Sequence, residues 1–160
     1  MARTSVVPDI IDGLVYVATA ALPAARVIDG YDLSEDPSDM FMVGVDDPSS
    51  PTWANVATSQ AKWANATKQG RDESGEVTCA AISFNGNSDQ QQARNTVYAM
   101  VNAVADAVRA NHTLASGTYP NGIPGVWETN VGASSKLTQI LNDDGAVALL
   151  VVTVDFKARI

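Results

Sequence analysis

The chain has 160 residues, the length of one domain able to bury roughly two thirds of its unfolded surface around a single core. Hydrophobic residues make up 46% and charged residues 18%, which excludes wholesale disorder. A formal charge of -8 leaves too few clustered Lys and Arg side chains for tight nucleic-acid binding. Cys79 is the only cysteine, which excludes an internal disulfide and a multi-cysteine metal site and fits a reducing compartment.

Pro8 favours the first turn of a helix expected over residues 7–22, with Ile10, Ile11, Leu14, Val15, Ala18 and Leu22 recurring on one face before Pro23 stops it. Arg3, the apolar run 14–22 and the small Ala24 and Ala25 superficially match a secretion signal. Asp9 and Asp12, between the charge and the run, favour an amphipathic helix instead; a secreted chain would begin near Ala25. No apolar stretch reaches the roughly 18 residues needed to span a bilayer. A short strand at 26–29 ends at Gly30, and an acidic, turn-rich segment leads to a second strand at 40–45. Residues 47–51 form a loop by their Pro and Ser content. Residues 53–66 fit strand or helix, with a strand around 58–63 favoured because 70–75 then reads as a polar connection into a clear strand at 76–84.

Asn85-Gly86-Asn87 breaks that strand, and Ser88 with Gln91 has the spacing of a capping box opening a second helix. Ala93, Val97, Met100, Val101, Val104 and Val108 line one side of it, and Gln92, Asn95, Asn102, Asp106 and Arg109 the other. Residues 111–130 carry Gly117, Pro120, Gly122, Pro124 and Gly125, so they are expected to form a long loop, a feature that in a compact domain is usually functional or disordered. A hairpin follows: strand 135–141, a turn at 142–145, and a long strand 147–160. On that last strand Ala148, Leu150, Val152, Val154, Phe156 and Ala158 point one way. Leu149, Val151, Thr153, Asp155, Lys157 and Arg159 point the other and pass from apolar to charged, so one face is core throughout and the other becomes solvent or interface. Together these elements predict a single α+β domain over 1–160, a mainly antiparallel sheet with two helices packed on one face.

Residues able to do chemistry are sparse. His112 is the only histidine and stands at a helix end, where a catalytic triad would need a nucleophile and an acid brought to it; a helix-terminal cation or a plain surface residue is the simpler reading. Cys79 lies between apolar strand neighbours as a small buried hydrophobe. Acidic residues cluster at Asp29 to Asp39, at Asp46 and Asp47, and at Asp72, Glu73 and Glu76. None keeps the alternate spacing and central glycine of an EF-hand loop, so a charged rim is expected in place of a metal site. The sequence holds no dinucleotide or phosphate-binding glycine motif and no G-x-S-x-G elbow. Trp53, Trp63 and Trp127 fall in loops or doubtful strands, as loop anchors or as subunit contacts.

Several pieces, taken in order, form a further pattern. They are the opening helix ending in Ala21-Leu-Pro23, then Val27-Ile-Asp-Gly30, Met42-Val-Gly-Val-Asp46, Gly70-Arg-Asp-Glu-Ser-Gly-Glu76 running into Val77-Thr-Cys79, and the helix opened by Ser88-Asp89 with Arg94. Leu137-Thr-Gln139, Asp144-Gly-Ala146 and Val152-Thr-Val-Asp-Phe-Lys-Ala-Arg159 complete it. Over nearly its whole length the chain resembles the tail terminator, or tail completion, family of long-tailed bacteriophages. The resemblance implies a ring, typically of six subunits, that caps the head-proximal end of the tail tube, stops its polymerisation and meets the head's connector or stopper protein. It implies a virion protein of the tail and neck, assembled in the host cytoplasm, with no membrane partner. No catalytic site, metal or cofactor is implied, and genomic DNA would pass through the pore without specific binding. Candidate contacts with neighbouring subunits, the major tail tube protein or the connector are Trp53, Trp63, Tyr119, Trp127, Lys157 and Arg159. Asp46, Asp47, Asp72 and Glu73 are candidates for an acidic lumen or rim. The alternative is a small α+β enzyme or ligand-binding domain working through carboxylates and His112.

Overall fold

A computed structural model describes residues 4–32, 38–46, 55–63 and 70–160. Its sheet is organised around two long strands, β4 (Arg71–Asn85) and β6 (Gly145–Arg159), which pair antiparallel from Asp72↔Arg159 to Asn85↔Ala146. The alternation along β6 is the one expected from sequence. Ala148, Leu150, Val152, Val154, Phe156 and Ala158 are buried, while Leu149 and Val151 are half-buried and Asp155, Lys157 and Arg159 are exposed. Each fully buried Leu, Val or Phe contributes about 1.5–3 kcal/mol relative to exposure, so this face anchors the core.

β5 (Val126–Asn142) joins β6 through the two-residue turn Asp143-Asp144, closed by the Asn142↔Gly145 pair. On the far side, β2 (Met40–Val43) and β3 (Ala57–Trp63) lie end to end along one edge of β4, β2 beside residues 79–82 and β3 beside residues 71–77. The two meet at Thr78, whose N–H donates to the Val56 carbonyl (3.0 Å) and whose carbonyl accepts from Gly44 (2.7 Å) and Val45 (3.2 Å). β1 (Arg26–Asp29) adds to β2 in parallel, giving the order β1-β2-β4-β6-β5. The described residues thus form an α+β fold with a mostly antiparallel sheet.

Both helices cover the same face. α2 (Gln90–Ala110) buries Ala93, Val97, Met100, Val101, Val104 and Val108, the same six residues as the sequence stripe. It starts one residue later than expected. Asp89, not Ser88, is the N-cap, accepting from the Gln92 N–H at 2.9 Å, and Ser88 adopts φ 60 in the turn before it. α1 (Val7–Ala21) buries Ile10, Gly13, Leu14, Val17 and Ala18. The stripe is rotated from the expected one: Gly13 and Val17 are inside, while Ile11 and Val15 are half-buried. The cause is Leu114 and Ile123, which press on the helix so closely that a Cβ at position 13 would stand 2.9 Å from Leu114 Cβ and 3.1 Å from Ile123 Cδ1. Leu114 (0% exposed) and Ile123 (2%) thereby plug the core from the connection after α2.

Three strands depart most from expectation, while β3 starts one residue early and β6 runs from 145 to 159 instead of 147 to 160. β5 begins at Val126, so the turn-rich connection spans 111–125, not 111–130. β2 ends at Val43 because Gly44 turns at φ +80, though Val45 stays buried. β4 begins at Arg71, so residues 71–75 are strand and not a connection. Their alternation is invisible because both faces carry polar residues. Gly75 sits where a side chain would collide with the Thr58 carbonyl of β3, so the glycine marks a close strand approach, not a turn.

On the opposite face of the sheet a smaller cluster of Met42, Val45 and Ala80 is buried, with Ile28, Tyr31, Ile82, Leu149 and Val151 packed against it. No helix among the described residues is long and apolar enough to cross a membrane.

Candidate interaction surface

The helix-free face of the sheet changes character along its length, and its polar end gathers several of the residues singled out by sequence. β3 is an edge strand, almost entirely exposed, beside the first half of β4, which pairs on its other side with the end of β6. Beside it run the last residues of β6 and the first of β5. Trp127 occupies a β-bulge, where the register slips between Val126 and Glu128, and is 44% exposed. The Arg159 guanidinium lies 5.9 Å from the Trp127 ring centroid and holds Asp72 across the strand pair in a two-pronged bridge, Nε to Oδ1 at 2.8 Å and Nη2 to Oδ2 at 3.2 Å. The donated hydrogen bonds and charge of Arg159 pull the Asp72 carboxyl below the usual carboxylate range, and Asp72 in turn raises Arg159. Lys157 Nζ donates to Glu128 Oε2 at 2.7 Å. At the end of β3 Trp63 is 73% exposed, with the Arg71 guanidinium 5.8 Å from its ring centroid, both in alternation with the helix-side residue Glu73.

Thus Trp63, Trp127, Lys157, Arg159 and Asp72 fall on one end of the sheet. The other candidates lie elsewhere. Tyr119 packs against the core and donates its hydroxyl to Asp9 Oδ1 at 3.0 Å, an anchor for the 111–125 connection within the chain. Glu73, expected on an acidic rim, is buried at 2% exposure: its carboxylate accepts from Ser5 Oγ (2.6 Å) and from the Val6 N–H (2.8 Å), holding the start of α1. Asp46 accepts from the Asn55 N–H at 3.0 Å. Trp53 and Asp47 lie outside the described residues.

Cys79 is fully buried, and desolvation pushes its thiol up to about 12, so it remains an uncharged hydrophobe. His112 has an exposed side chain, and its carbonyl accepts from Thr129 Oγ1 at 2.7 Å. Among the described residues, no three His, Cys, Asp or Glu side chains gather as a metal site.

Sequence reading missed an open groove of about 450 Å³ on the same polar face, lined by β3, β4, β6 and β5. Thr58, Gln60, Ser74, Glu76, Asn130 and Asp155 help to line it. Glu76 and Asp155 are direct cross-strand partners there, an arrangement that costs energy for like charges. The β6 alternation already places Asp155 on this face, whereas the contribution of β5 depends on a bulge and on a strand longer than its sequence suggests. In comparisons with known proteins, no protein-family model matches the chain and no curated protein matches it.

Proposed function

We propose that the chain is a structural protein of a long-tailed bacteriophage virion, a tail terminator whose ring caps the head-proximal end of the tail tube and joins it to the head connector or stopper. The observation that carries this reading is the polar end of the sheet, where Trp63 and Trp127 are 73% and 44% exposed and each lies beside an arginine. Trp and Arg are the residues that most often dominate protein–protein contacts, and a ring needs two unlike surfaces on every subunit. The net charge of -8 supports a passage in which DNA is not retained, since negative walls repel phosphates. Acidic side chains confined to the outer wall around a basic pore would overturn that part.

The test is the solution mass of the purified chain, with negative-stain images and binding to purified tail tubes. Six copies of the 16.8 kDa chain give about 101 kDa with a central hole. A monomer that also fails to bind tube ends would sink the reading.

A further inference from the structure

At the end of the sheet away from Trp127, the second half of β5 runs to the hairpin turn as an unpaired edge. After the register shift at Val131/Ser135, its pairing with β6 is unbroken from Ser135 to Asn142. Among the described residues no backbone hydrogen bond outside that ladder reaches 127–142, so every second N–H and C=O of this stretch points outward from the sheet. Proline, a bulge or a row of charges usually keeps such an edge from pairing; residues 135–142 have only Lys136. Ile140 and Leu141 are instead 55% and 56% exposed. Ile140 is in register with Val147, and Val147 with Phe84, so three apolar side chains form a row across the helix-free face that stops at the edge. On the helix side the Gln139 amide donates to the Gln90 carbonyl at 2.9 Å, which ties the strand to the start of α2. Charge is divided along the segment, with exposed Lys136 at one end and exposed Asp143 and Asp144 in the turn at the other. None of the three forms an ion pair among the described residues.

We infer that two copies of the chain join edge to edge, β5 against β5, in one continuous antiparallel sheet. A two-fold axis normal to the sheet sets a strand antiparallel to its own copy and keeps the two helix-free faces on the same side. With the axis at Ile140, the two Ile140 side chains meet and the apolar row doubles across six strands. Lys136 of each copy then stands opposite Asp144 in the acidic turn of the other, an opposite-charge pair made twice by symmetry. Moving the axis to Gln139 would put Lys136 opposite Asn142, and moving it to Leu141 would carry Lys136 past the turn. Self-complementary charge and the interrupted apolar row thus select a second copy of this chain and one register. The contact joins like surfaces at the opposite end of the sheet from Trp63 and Trp127, so it does not rest on the ring reading.

The test uses the full-length chain, with circular dichroism as the folding control for each variant. Cys79 is buried, so an added surface thiol is the accessible one. Mild oxidation of Ile140→Cys should link two copies, about 34 kDa in non-reducing electrophoresis, whereas Phe84→Cys, two strands away from the axis, should stay unlinked. In sedimentation over a range of concentrations, Ile140→Lys should weaken self-association on the order of 100-fold, since it sets like charges against each other. Lys136→Glu should weaken it roughly tenfold, and Lys136→Glu/Asp143→Lys/Asp144→Lys should restore it. A wild-type chain that stays monomeric, equal cross-linking at positions 84 and 140, or a folded Ile140→Lys variant with wild-type association would each overturn the pairing. A ring of about 101 kDa that survives Ile140→Lys would overturn it as well, while leaving the ring reading standing.

Discussion

The two faces of β6 carry alternate residues of one strand and have opposite fates. Towards the helices every second residue from Ala146 to Ala158 is buried, whereas on the other face half-buried Leu149 and Val151 give way to exposed Asp155, Lys157 and Arg159. The difference separates stability from contact. One face holds the fold along its full length; the other holds it over half its length and leaves the rest at the surface.

The sharpest way to break this comparison is Phe156→Ala beside Lys157→Ala. The first should lose about 3–5 kcal/mol in urea unfolding and the second should stay within about 0.5 kcal/mol. Equal losses would erase the distinction between the faces. Glu73→Ala should cost about 2 kcal/mol, because it strips a buried acceptor from Ser5 and the Val6 N–H, and Glu73→Gln should lose less. An unchanged midpoint for the alanine variant would remove the α1 anchor from the account. Val151→Ala should cost about 1 kcal/mol, less than Val154→Ala on the fully buried side. Smallest of all is the contribution of the Asp72–Arg159 bridge. Its carboxyl is lowered in the folded state, so the stabilisation is fully present above the ordinary carboxylate value of about 3.9 and disappears as pH falls through the lower folded value. Following the Asp72 carboxyl by NMR should show its midpoint rise in Arg159→Ala, and a midpoint that does not move would discard the bridge.

Legibility in the sequence follows the same division. α2 and β6 are readable because a single apolar layer imposes one period on each. The amino-terminal half of β4 is not, since Asp72, Glu73, Ser74, Gly75 and Glu76 are polar on both faces and only pairing with β3 and β6 makes them strand. The rotation of α1 is also invisible locally, for Leu114 and Ile123 reach Gly13 from about a hundred residues away. At the candidate surface, Trp63, Trp127, Lys157 and Arg159 stand out by residue type and position. Their convergence with Asp72 comes from register, and the groove from a bulge. Glu73 resembles its acidic neighbours in sequence, yet strand alternation turns it inward to a helix end 67 positions earlier.

The pairing of β4 with β6 also sets a timetable. Asp72 waits for Arg159, 87 positions later, and one whole edge of β4, from Asp72 to Asn85, pairs with a strand that leaves the ribosome after α2 and β5. Non-local pairing of this kind folds slowly, since a long loop must close before any bond rewards it. Until β6 emerges, one edge of β4 is bare and α2 lacks part of its floor. The polar end of the sheet, where Arg159 of β6 holds Asp72 of β4, is thereby completed only after β6 has been made.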